Sequence, residues 1–123
     1  MGPKQIALAT GLAFAAVPTS VVADPARDAL ACAGFWQANH RYEQQTFLAI
    51  DVDDTWASMA QAGAAAATRL GATRAAATVE ATARDMAPRL RNFLNGGNRQ
   101  WFEAISRLCN RVLDREPELA PFR

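Results

Sequence analysis

Lysine is nearly absent from this chain of 123 residues, with Lys4 as its single instance. Histidine and tyrosine occur once each, at His40 and Tyr42, and cysteine twice, at Cys32 and Cys109. Each scarcity closes off a class of chemistry. One histidine among scattered carboxylates gives no metal-ligand spacing. A nucleophile–histidine–acid arrangement would have to be built on His40, and nothing aligns Ser58 or Ser106 with it. No C-x-x-C-H stretch is present, which excludes covalently attached haem. No catalytic residue, metal or cofactor is therefore expected. An excess of charge is missing as well. Without Lys4 the 13 basic residues become 12 arginines, against 12 acidic residues. The arginines are spread along the chain, so neither nucleic acid nor a strongly basic partner is indicated. Alternating strand patterning is absent over any useful length.

What is present begins with an export signal. Lys4 is followed by an apolar stretch from Ile6 to Val17 that Thr10 and Gly11 alone interrupt. Pro18, Thr19 and Ser20 break it, and Val21-Val22-Ala23 offers small residues ahead of Asp24. Charge, apolar run and small-residue site in that order predict a secretory signal peptide over 1–23, removed before folding. The run is too short for a membrane span and ends at proline. Lipidation at Cys32 does not fit, because Asp24, Pro25, Arg27 and Asp28 separate it from the apolar run. Residues 24–123 then form one domain in a periplasmic or secreted setting, where two thiols read as a disulfide between Cys32 and Cys109. Closing about 76 intervening residues would stabilise the fold by roughly 4 kcal/mol in the chain-entropy model.

The domain reads as four helices. Asp24-Pro25 starts the first, whose apolar positions run from Cys32 through Phe35, Trp36 and Phe47 to an end near Ile50. Asp53 or Asp54 caps the second, which carries the small-residue run Gly63–Ala67 and ends at Gly71. Such a face lets a neighbour approach closely. Thr73 is the expected cap of the third helix, and Pro88 predicts a kink or break within it. Asn95-Gly96-Gly97-Asn98 separates it from the fourth, where Trp101, Phe102, Ile105, Leu108, Cys109, Val112 and Leu113 form one apolar stripe up to Pro117. The fold predicted is all-α: a small antiparallel four-helix bundle stapled by one disulfide. Trp36, Trp56 and Trp101 are expected as core anchors. Glu80–Arg84, Asp85–Arg89 and Glu103–Arg107 are expected as solvated helix pairs.

One motif suggests chemistry. Asp51-Val52-Asp53-Asp54-Thr55 after an apolar run is D-x-D-x-T, and it resembles the first motif of haloacid-dehalogenase-type phosphatases. The resemblance implies a phosphoryl-accepting nucleophile at Asp51, a general acid/base at Asp53 and Mg²⁺ beside them. It covers about nine residues, and the chain departs from the family's pattern elsewhere. No lysine is available downstream, and nothing resembles the family's parallel sheet. As an interhelical turn, the same aspartates would cap the next helix.

By elimination the chain reads as an exported protein that acts by contact with a periplasmic protein partner, in the manner of inhibitors, immunity proteins or chaperones. A Mg²⁺-dependent phosphatase and a purely structural envelope protein are the alternatives. The expected partner surface is the outward face of the first helix: Gln37, His40, Arg41, Gln44 and Gln45. Neutral donors and acceptors there can be desolvated at lower cost than charges. Leu119 and Phe122 would join this surface if the C-terminal tail is exposed.

Overall fold

The computed structural model describes residues 24–46 and 53–123. The proposed signal peptide, Asp51 and the expected end of the first helix at Phe47–Ile50 lie outside them. Four helices follow in order: α1 (Pro25–Thr46), α2 (Thr55–Arg69), α3 (Ala75–Leu94) and α4 (Arg99–Arg115), then a 3₁₀ helix (Pro117–Phe122). The described residues contain no strand. The fold is an all-α four-helix bundle.

Local chemistry accounts for most of the boundaries. The Asp24 carboxylate accepts the Arg27 N–H at 3.1 Å, with Pro25 in the first helical position. Asp54 stands at the N-cap of α2 without a side-chain cap, and the Oδ1 of Asp53 just before it accepts both the backbone N–H (2.7 Å) and the hydroxyl (2.5 Å) of Thr55. Gly71 ends α2 at φ +109°, a conformation open to a residue without Cβ, and the Ala72 N–H reaches back to the Ala67 carbonyl.

Three expectations need correction. Arg74, in the left-handed region at φ 55°, precedes α3 in place of Thr73. Asn98 stands at the start of α4, also left-handed, but its amide donates to the Arg89 carbonyl at 3.4 Å and leaves the helix uncapped by a side chain. Pro88 does not interrupt α3. It lies on the exposed side, where the carbonyl deprived of its N–H partner need not be buried.

Packing is organised around α1, which lies against α2 and α3 along much of its length and against α4 near the disulfide. Small residues make this possible. At Gly63 of α2, an added Cβ would sit 3.1 Å from the Ala33 Cβ and 3.2 Å from the Trp36 ring. Trp36 is buried, and Phe35 meets Trp101 and Phe102 edge-on at 6.2 and 5.9 Å. Cys32 and Cys109 are brought to disulfide-bonding distance, with Cα atoms 5.3 Å apart. This pairs the start of α1 with the second half of α4, so those helices run antiparallel. The backbones of α2 and α4 make no close approach to each other, and their side chains meet in the shared core.

The tail is the least expected part of the core. Leu119 is fully buried and Phe122 half-buried, so the two residues considered for an exposed surface close the bundle instead. The 3₁₀ helix bridges α2 and α4 at their C-terminal ends. Arg69 fastens it, donating to Glu116 at 2.6 Å and to both carboxylate oxygens of Glu118 at 2.7 and 3.1 Å. Arg115 donates to the other oxygen of Glu116 at 2.6 Å. Arg123 donates to the carbonyls of Leu113 and Glu116.

Candidate functional site: the groove between α1 and α3

The central position of α1 decides the fate of the surface expected on it. His40 is buried, 8% exposed, and its Nδ1 has no hydrogen-bond partner among the described residues. It cannot take part in an outward contact surface. The apolar stripe suggested one buried side for this helix, whereas α2, α3 and α4 together cover most of its circumference. Gln37 is half-buried in a crevice shared by α1, α2 and α3, beside Gln61 and Glu80. Gln44 is exposed at the end of α1. Arg41 and Gln45 alone of the five reach a common concave surface.

That surface is a groove of about 330 Å³ between the C-terminal half of α1 and the middle of α3. Its floor is made of small or apolar side chains, including Ala38, Ala83, Ala87 and Leu90. Tyr42 and Gln45 line it from α1, and Pro88 from α3. Three arginines also line it: Arg41, Arg84 and Arg91. Arg41 is neutralised by an ion pair with Glu80 of α3. Arg84 and Arg91 are exposed and make no ion pair among the described residues.

The expected Glu80–Arg84 pair is therefore replaced. Glu80 turns to α1, and Arg84 is left with its charge uncompensated beside the groove. Asp85–Arg89 and Glu103–Arg107 do not form either; Glu103 lies 3.9 Å from Arg99. Pairs at this spacing are weak on a solvated helix, so a cross-helix partner or an alternative rotamer displaces them readily.

Pro88 adds a second polar feature. It has no N–H to offer the Arg84 carbonyl, which would otherwise be bonded within the helix. Arg84 and Pro88 both line the groove, so a backbone acceptor lacking its helical partner lies on the same stretch of α3 as the free guanidiniums. Sequence reasoning missed Arg84, Arg91, Tyr42 and Pro88 as a group. Two arginines seven residues apart with a proline between them were the available signal. Seven residues is two helical turns, which puts both side chains on one face.

No protein-family model, curated protein or solved structure matches this chain. The functional reading therefore rests on the geometry.

The aspartate motif has a local structural role. The two Thr55 hydrogen bonds hold the Asp53 carboxyl below the ordinary aspartate range, the opposite of what a proton-donating acid needs. Its partner in the motif, Asp51, lies outside the described residues. The described residues hold no group of three or more potential metal ligands. Trp56 is half-buried, its indole N–H held by Glu43 at 2.8 Å. With Trp36, Met59, Phe102 and Leu113 it lines a second, apolar cleft of about 290 Å³ where α2 and α4 stand apart.

Proposed function

We propose that this is an exported, disulfide-stapled binding protein, without catalytic activity, that engages an acidic stretch of a periplasmic partner through the α1/α3 groove. The observation that carries the reading is the uncompensated charge of Arg84 and Arg91 beside a concave floor that includes the small side chains of Ala38, Ala83 and Ala87. Free guanidiniums at such a site give orientation and specificity to a carboxylate-bearing partner. Export is supported by the order of charge, apolar run and small residues before Asp24, and by the two cysteines at bonding distance. Inhibition, immunity and client protection are all activities of this kind.

The test is capture from a periplasmic extract by the oxidised protein and two charge-reversed forms. Arg84→Glu with Arg91→Glu should abolish capture of a partner held by the wild type. Arg107→Glu with Arg111→Glu, equal in charge and exposed on α4, should leave it intact. Equal loss in both forms would mean that net charge, not the groove, attracts the partner.

A further inference from the structure

The groove constrains the conformation of what it binds, an inference that rests on the reading above. We infer that its ligand is an extended, polyproline-type peptide segment with acidic residues three positions apart and an apolar side chain between them. Arg84 and Arg91 lie two turns apart on α3, about 10 Å along the axis. A polyproline II segment repeats every three residues and rises about 3.1 Å per residue, so acids at i and i+3 share one side about 9 Å apart. In a β-strand the same two positions point to opposite faces.

The other groove features favour the same form. An extended segment has backbone N–H groups free to donate, and the Arg84 carbonyl opposite Pro88 lacks a helical donor. A docked helix has no free N–H in its middle turns. Tyr42 and Pro88 offer the aromatic and ring surfaces on which polyproline-type segments pack. Ala38, Ala83, Ala87 and Leu90 leave room for one apolar side chain between the charges. Inorganic phosphate or a lipid headgroup would use the arginines alone.

The experiment is calorimetric titration of the oxidised protein, residues 24–123, with blocked tetrapeptides and with inorganic phosphate. Glu-Pro-Leu-Glu should bind, while Gln-Pro-Leu-Gln should bind about tenfold more weakly or not at all, as expected for lost charge-assisted hydrogen bonds. Pro-Glu-Glu-Leu, equal in charge but with adjacent acids, should also be weaker. Arg84→Gln and Arg91→Gln should each weaken Glu-Pro-Leu-Glu binding by about tenfold, and phosphate should not displace it. Equal affinity for the three peptides, or displacement by phosphate, overturns the inference. If none of the peptides binds although the Arg84 and Arg91 reversals abolish partner capture, the ligand class is wrong and the groove stands. If the reversals leave capture intact, the underlying reading fails with it.

Discussion

Gly34 of α1 faces Thr82 of α3 at a separation that leaves no room for a side chain. A Cβ added there would lie 2.6 Å from the Thr82 Cβ and closer still to its methyl group. Both obstructing atoms belong to a stiff β-branched side chain. This close approach seats α3 directly on α1 and so shapes the groove between them.

Gly34→Ala tests that contact. Alanine is favoured over glycine within a helix by about 1 kcal/mol, whereas overpacking typically costs 1–3 kcal/mol. The variant is expected to be net destabilised by about 1 kcal/mol in urea unfolding, on the balance of these terms. Adding Thr82→Ala should recover most of the loss, because the obstructing atoms are removed. Additive losses in the double variant would show that the two positions do not press on each other.

The tail should behave as core. Leu119→Ala should cost roughly 2–5 kcal/mol, the range for emptying a fully buried leucine site. Pro117→Ala, at an exposed position of the same 3₁₀ helix, should cost much less. Similar small losses at both positions would place Leu119 in solvent.

Acid should loosen the clasp that holds this tail. Burial pushes the Glu116 carboxyl up, but hydrogen bonds from Arg115 and Arg69 outweigh it and hold the group below the ordinary glutamate range. Arg69 lowers Glu118 in the same way. A carboxylate depressed in the folded state stabilises fully above its unfolded pKa of about 4.3 and loses that contribution as pH falls through the folded value. Stability should therefore hold steady from pH 7 to about 5 and decline below about 4.3. Glu116→Gln should be less stable near neutrality and show a shallower acid decline. An identical acid profile in wild type and variant would remove Glu116 from the explanation.

Much of this architecture was legible in sequence because local chemistry and period agreed. The stripe from Trp101 to Leu113, the Asp24-Pro25 start and the Gly71 stop are short-range signals, and the Cys32–Cys109 pairing followed from antiparallel packing. The site was less legible. An amphipathic pattern identifies one buried face, and α1 has three neighbours, a property of the assembled bundle that buried His40 and half-buried Gln37. Glu80 could be matched by spacing to Arg84, but its real partner, Arg41, is 39 positions away in sequence. Leu119 follows a proline that ends α4, and nothing local says whether such a tail folds back.

The disulfide can be checked chemically. Non-reducing peptide mapping should recover Cys32 joined to Cys109, and reduction should lower the melting temperature by many degrees, since the cross-link removes roughly 4 kcal/mol of unfolded-chain entropy. Two alkylatable thiols in the native protein would contradict both the pairing and the proposed oxidising compartment.

Site-specific photocrosslinking reports which surface a partner touches in the compartment to which export is proposed. A photoreactive residue in place of Gln45, on the groove, should give a partner adduct that disappears when Arg84 and Arg91 are reversed to glutamate. The same residue in place of Arg111, exposed near the far end of α4, should give none. An adduct from position 111 and none from position 45 would contradict the groove as the contact surface.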